Sequence, residues 1–238
     1  SVFIFYTKLE VFPTKIDFID NLIDNTFFSY ALTIFCLMIL INGSNFIDGL
    51  NGLFLGYIII IFLILLKTNL FYSLGFSVEQ FSFLIMAFIF ILILNYSNQL
   101  FMGDSGAYAL SFLIGLSLIY IYNFTSNLSP FFIILLLWYP CFENLFSIIR
   151  KFTFRKSPLK PDNKHLHQYL FQFFIKKFNI KKIYANNLAS ITINTFNLII
   201  FLIGSLNISH TAYQIKLIIF SVIFYLAIYK LLKIFSNN

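Results

Sequence analysis

Seven apolar stretches, roughly residues 26–42, 53–70, 80–97, 107–122, 131–149, 183–204 and 212–235, run through this sequence with short polar connections between most of them. A membrane-crossing helix needs about 20 predominantly apolar residues. The pattern therefore predicts an all-α, polytopic membrane protein of about seven transmembrane helices, with residues 1–238 forming one integral-membrane domain. Composition agrees, because a chain that is 60% hydrophobic and 11% charged lies outside the range of soluble globular domains. Its 34 Phe residues suit lipid-facing helix surfaces and exclude a disordered, collagenous or disulfide-rich secreted chain. Cys36 and Cys141 stand singly in apolar runs and read as small buried hydrophobes. Residues 1–25 carry Glu10, Asp17, Asp20 and Asp24 with Pro13, so they read mainly as an extracytoplasmic loop, Val2 to Tyr6 being the tail of an earlier helix. The opening residues do not read as a signal peptide.

The net charge of +7 points away from nucleic acid once its distribution is considered, because ten of the sixteen basic residues fall between Arg150 and Lys182. Residues 150–182 read as one basic loop of a hydrophobic protein. Each pair of spans returns the chain to the side it left, so the connections after spans one, three, five and seven share a face. That face carries twelve Lys and Arg, against Lys8, Lys15, Lys67 and Lys216 on the other. By the positive-inside rule the first face is cytoplasmic. It gathers three polar segments: NGSNFIDGLNGL at 42–53, NYSNQLFMGDSGA at 95–107, and the basic segment that contains PDNKHLHQYL at 161–170.

Polar groups at a membrane boundary are costly to desolvate and are functional candidates by default. In the first segment, glycines 43, 49 and 52 allow close approach of backbone to a ligand. In the second, Asp104 stands where span four begins, a position that a simple helix N-cap would also explain. In the third, His165 and His167 are two apart beside Arg150, Lys151, Arg155, Lys156, Lys160 and Lys164. A flexible basic loop of this kind suits phosphate oxygens better than zinc. Carboxylates and amides facing a basic cluster favour a magnesium ion held between oxygen ligands and a polyphosphate. Glu143, within span five beside Pro140, reads as a structural hydrogen-bonding carboxylate. Two other classes explain part of the pattern. A secondary transporter breaks its helices near the midplane and in repeated halves, and a non-catalytic membrane scaffold leaves the Asp104 and histidine segments without a reason.

These segments resemble the polyprenyl-phosphate N-acetylhexosamine-1-phosphate transferases. NGSNFIDGLNGL looks like the family's Asn-rich DGxDGL loop, FMGDSGA its GDxG loop, PDNKHLHQYL its His-x-His loop, and WYPCFENLFSIIR at 138–150 the helix leading into that loop, all in the family's order. The resemblance implies a helical membrane fold in the bacterial cytoplasmic membrane. It also implies transfer of an N-acetylhexosamine-1-phosphate from a UDP-sugar to polyprenyl phosphate with release of UMP, initiating synthesis of a cell-envelope polysaccharide. Magnesium, or manganese, is the implied cofactor.

Carried over residue by residue, Asp104 is a metal ligand, and Asp48 and Asn45 belong to the metal and nucleotide pocket. Asn42 and Asn51 fall on the substrate side. His165, His167, Arg150, Arg155 and Lys164 go to the pyrophosphate-binding loop. Asn51 replaces the second Asp of DGxDGL, which keeps an oxygen ligand but loses a charge. Asn95 matches a family position without an assignable role. The HLHQ ending argues against the peptidoglycan enzyme. The family's adjacent Asp pair occurs nowhere in these 238 residues, so the chain reads as the carboxy-terminal two-thirds of such an enzyme.

Overall fold

The structure, a computed structural model, describes residues 14–153 and 164–237. Among them the chain is helical, in the order α1 (Asp17–Ile23), α2 (Thr26–Ile47), α3 (Leu53–Lys67), a 3-10 turn (Leu70–Leu74), α4 (Val78–Tyr96), α5 (Gly103–Phe124), α6 (Pro130–Thr153), α7 (Leu166–Phe178), α8 (Lys182–Gly204) and α9 (Thr211–Asn237). Six of these, α2, α4, α5, α6, α8 and α9, are long and apolar enough to cross a membrane. The start signals are conventional ones. Asn25 accepts the amides of Phe27 and Phe28 at the head of α2, and Ser77 and Gln80 form a reciprocal capping box at the head of α4. The expected loop at 1–25 contains α1, and the chain before Thr14 lies outside the described residues.

The remaining expected span is α3, whose fifteen residues reach only about 22 Å at 1.5 Å per residue. Eleven of the fifteen are buried. It packs between α4, α8 and the 3-10 turn, so protein rather than lipid sets its length. The ends of the helices show that it nonetheless joins opposite faces. At one end Lys67 donates to the Ser205 hydroxyl at 2.8 Å, Ser73 bonds Thr125 at 3.1 Å and Ser129 bonds Thr211 at 3.0 Å. At the other end, loop 48–52 meets Asn95 and Asn98, and Asn45 in the last turn of α2 meets Asp104. The grouping of connections deduced from span parity is therefore present in the bundle.

Two features of α2 and α6 correct the sequence reading. The helix α2 does not stop near residue 42 but continues through Asn42, Gly43, Ser44 and Asn45 to Ile47, leaving a loop of only 48–52. Gly43 serves helix packing rather than ligand approach, because its missing side chain makes room for the main-chain carbonyl of Pro140 on α6. Cys36 is exposed on the outer surface of α2 rather than buried.

Pro140 has no N–H to give to the carbonyl of Leu136 four residues back. The buried hydroxyl of Tyr57 on α3 donates to that carbonyl instead, at 2.9 Å. An unpaired carbonyl in an apolar interior costs about 1–3 kcal/mol. Tyr57→Phe should lower stability by about that amount, read as a shift in the chemical-denaturation midpoint in detergent, and an unchanged midpoint would show that the carbonyl finds another donor.

Candidate functional site

The site is assembled from three connections at one end of the bundle. Asp48 follows α2 directly, as its C-cap. Asp104 is the second residue of α5, and the helix begins after Met102 with no side-chain cap, so Asp104 is not an N-cap. Its carboxylate instead accepts a hydrogen bond from the Asn45 amide at 2.8 Å, which ties α2 to α5. Burial, followed by the nearby charge of Asp104, pushes the Asp48 carboxyl up to about 7. Among the described residues no basic side chain forms an ion pair with either aspartate, and no group of three or more His, Cys, Asp and Glu gathers to hold a metal. Two carboxylates are nevertheless what a hard cation such as magnesium takes from a protein when water and phosphates fill its other positions. The donor set therefore fits that ion.

A layer of amides braces the loop between the aspartates. The Gly52 amide, at φ +77°, donates to the side-chain oxygen of Asn95 at 2.5 Å, and the nitrogen of Asn95 donates to the Leu100 carbonyl at 2.8 Å. Asn95 thus gains a role that the sequence reading left open. The Asn51 amide donates to the Asn98 side chain, and the Asn51 carbonyl accepts from Ser190 at 2.6 Å and Asn186 at 3.3 Å. Asn194 donates to the carbonyls of Gly52 and Leu53 at 3.0 and 3.2 Å. The α8 residues were missed in the sequence, although Asn186, Ser190 and Asn194 recur every four residues and mark one polar stripe on an apolar helix. Asn51 is engaged in this scaffold. Asn42 is exposed, donates back to Met38 at 2.8 Å and is not tied to the cluster.

The histidine segment is not a flexible loop where it is described. His165 precedes α7 and His167 lies in its first turn, with the rings parallel, 5.4 Å apart and buried. Their Nδ1 atoms lie 3.6 and 3.7 Å from one oxygen of Glu143, which is fully buried. The second oxygen of Glu143 takes the Tyr225 hydroxyl, and the first accepts the Leu166 amide at 2.9 Å. Burial pulls the His167 imidazole below its usual range, against the opposing pull of Glu143. The ring reaches the site itself, since its Nε2 lies 3.5 Å from where a Cβ on Gly49 would stand.

Arg150 sits at the root of the histidine segment. It is buried, donates to the Lys164 carbonyl at 2.5 Å and the Tyr229 hydroxyl at 2.9 Å, and lies over the rings of Phe146 and Tyr229. Its guanidinium clamps the start of the histidine segment. The Lys164 side chain is exposed, and Arg155 lies outside the described residues. Beside this cluster, an apolar cavity of about 510 Å³ opens between α6, α7, α8 and α9, with Trp138, Leu166, Phe173, Phe196 and Tyr225 among its walls.

A bundle of membrane-crossing helices that gathers two aspartates, a braced glycine loop and two histidines at one end defines a multi-pass helical membrane protein with a polar cluster at that end. The family model described as glycosyl transferase family 4 matches residues 1–122, slightly more than half of the chain. The chain belongs to that family. It is similar to the Probable undecaprenyl-phosphate N-acetylglucosaminyl 1-phosphate transferase of Bacillus subtilis, with 28% identity over 179 residues, 73% of this chain and 49% of that protein. A match of that extent includes Asp104 and both histidines wherever it begins. The Undecaprenyl-phosphate alpha-N-acetylglucosaminyl 1-phosphate transferase of Thermotoga maritima is 33% identical over 131 residues, 54% of this chain and 38% of that protein. The Decaprenyl-phosphate N-acetylglucosaminephosphotransferase of Mycolicibacterium smegmatis is 28% identical over 165 residues, 60% of this chain and 41% of that protein. The chain thus spans half or less of the length of these relatives. No solved structure matches it.

Proposed function

We propose that this chain carries the phosphate-handling face of a polyprenyl-phosphate N-acetylhexosamine-1-phosphate transferase in the bacterial cytoplasmic membrane, serving cell-envelope polysaccharide synthesis. An oxygen of the polyprenyl phosphate forms a bond to the sugar-linked phosphorus of a UDP-N-acetylhexosamine. The bond from that phosphorus to the bridging oxygen breaks, and UMP leaves. The observation that carries this reading is the convergence of Asp48 and the Asn45–Asp104 pair, from two separate connections, beside the Nε2 of His167. Asp48 and Asp104 would hold magnesium, which supplies neutralisation of pyrophosphate charge when bound. Asn45 orients Asp104, the amide layer fixes loop 48–52, and His167 offers a nitrogen to a phosphate oxygen. The prenyl tail stays in the bilayer or in the apolar cavity at the flank.

The reading is tested by incubating the purified protein, carrying any residues encoded before Ser1, with magnesium, undecaprenyl phosphate and sugar-labelled UDP-N-acetylglucosamine. Label extractable into organic solvent, dependent on both the lipid and the metal, is the expected result. Its absence with each available UDP-N-acetylhexosamine would overturn the reading.

Metal binding requires the ionised form of Asp48. A carboxyl raised to about 7 is largely protonated below that pH, so the proton competes with the cation there. The apparent magnesium affinity should rise as pH increases from 6 to 8, by about tenfold per unit at the steepest. A flat profile in calorimetric titration would place the metal elsewhere.

Sidedness gives a separate check. With Cys36 and Cys141 replaced by Ala, a cysteine at exposed Ser126 should react with an impermeant maleimide on intact cells, and one at exposed Ser97 only after the membrane is opened. The reverse pattern would put the aspartates outside the cell, away from UDP-sugars.

A further inference from the structure

Glu143 is the one carboxylate buried within the bundle, among the described residues, and burying a charge in apolar surroundings is costly unless it is paired and hydrogen-bonded. Its partners are all supplied by the histidine segment and α9. Leu166 gives a backbone N–H and Tyr225 gives its hydroxyl, while the buried Nδ1 atoms of His165 and His167, with no hydrogen-bond partner elsewhere among the described residues, face it just beyond hydrogen-bond length at 3.6 and 3.7 Å. A carboxylate only accepts. An imidazole nitrogen turned toward it is favourable when it bears a proton and repulsive when it presents a lone pair. The position of Glu143 therefore selects the protonated Nδ1 in both rings. In a neutral imidazole the other nitrogen, Nε2, then carries the lone pair, and in the charged form it becomes a second donor. The Nε2 of His167 is buried, lacks a hydrogen-bond partner among the described residues, and faces Gly49 beside Asp48.

We propose that Glu143 is a positioning residue, which holds the Nδ1–H of His165 and His167 and so presents the Nε2 of His167 to a phosphate group at the Asp48 loop. The phosphate arm of this inference rests on the transferase reading above, whereas the positioning of the rings stands on the geometry alone. The carboxylate acts from behind the imidazoles, as outer-shell carboxylates orient the histidines of metal sites.

The chain contains three histidines, and the third is a built-in contrast. The Nδ1 of His210 accepts the Tyr213 amide at 3.1 Å, so the neutral form of His210 carries its proton on Nε2. Solid-state NMR of the full chain in lipid bilayers, with isotope-labelled histidine as the probe, reads the protonated nitrogen of each ring directly. At about pH 8.5, well above the usual imidazole range, two rings should be protonated at Nδ1 and one at Nε2. Leu166 and the imidazoles share one oxygen of Glu143 and Tyr225 takes the other, so Glu143→Gln can keep its oxygen on the shared side and donate its NH2 to the Tyr225 hydroxyl, and it should preserve the wild-type pattern. Glu143→Leu removes the acceptor altogether, and at least one of the pair should then move its proton to Nε2. His165 and His167 both protonated at Nε2 in the wild type, or a pair unmoved in Glu143→Leu, would overturn the positioning.

The transfer assay on the same samples separates the two arms. Loss of transfer together with the proton shift supports the whole proposal, and an unchanged transfer rate despite the shift overturns its link to phosphate. A wild type without transfer activity counts against the functional reading, while the imidazole spectra still decide the role of Glu143.

Discussion

Replacing Asp104 by asparagine should cut magnesium-dependent UMP release by on the order of a thousandfold, at matched amounts of folded protein. The structure makes this substitution unusually clean. Asp104 does not cap α5, and its contact with Asn45 requires only an oxygen acceptor, which asparagine also provides. The exchange therefore removes a charge while leaving the link between α2 and α5 available. A hard cation depends on anionic oxygen, and the phosphate charge that the cation would neutralise is part of the reacting group, so the loss should fall on the chemical step. The measurement is UMP release from a UDP-N-acetylhexosamine with polyprenyl phosphate in detergent, wild type against variant. Activity within about threefold of wild type would sink the metal assignment.

The second large effect is structural and lies one helix turn from the site. A Cβ on Gly43 would overlap the carbonyl oxygen of Pro140 and come within 2.6 Å of its carbonyl carbon. Both colliding atoms belong to the main chain, so no rotamer change relieves them, and α2 and α6 would have to separate. These two helices share the most extensive packing in the bundle. Gly43→Val should therefore cost about 3 kcal/mol or more, seen as a collapse of the folded peak in size-exclusion chromatography or a large fall in denaturation midpoint. Trimming the side chain at 140 should bring no rescue, so Gly43→Val with Pro140→Ala should be no better than Gly43→Val alone. A variant that denatures within about 0.5 kcal/mol of wild type would show that the helices can part at little cost.

What could be read in the sequence followed from the cost of placing charge in a membrane. The apolar stretches, the shared face of their connections and the meeting of segments 42–53 and 95–107 all derive from where charge and apolar length alternate. What escaped was the direction in which polar side chains point. Asn42 to Asn45 looked like the end of a span, yet Ser44 is buried and Gly43 packs on α6, so polarity along that stretch is satisfied by protein and the helix continues. Arg150 looked like a phosphate ligand because basic residues cluster around it, but its neighbours Phe146 and Tyr229 and the carbonyl of Lys164 hold it inside. His167 does face Gly49, whereas the burial of both histidines against Glu143 depends on how α7 packs against α9, which charge counting does not register. The α8 stripe was legible in principle, since polar side chains spaced every four residues in an apolar helix must face something other than lipid.

The bracing beneath loop 48–52 consists of amides and a hydroxyl, none of which titrates in water's ordinary range. Such a foundation moves no charge through the transmembrane field and gives counterions nothing to screen. Protons and cations can come and go at the aspartates above it while the spacing between α3, α4 and α8 stays fixed. The frame that sets distances and the groups that change charge are chemically separate, so the same geometry serves across the swings of pH, salt and voltage that a membrane protein meets.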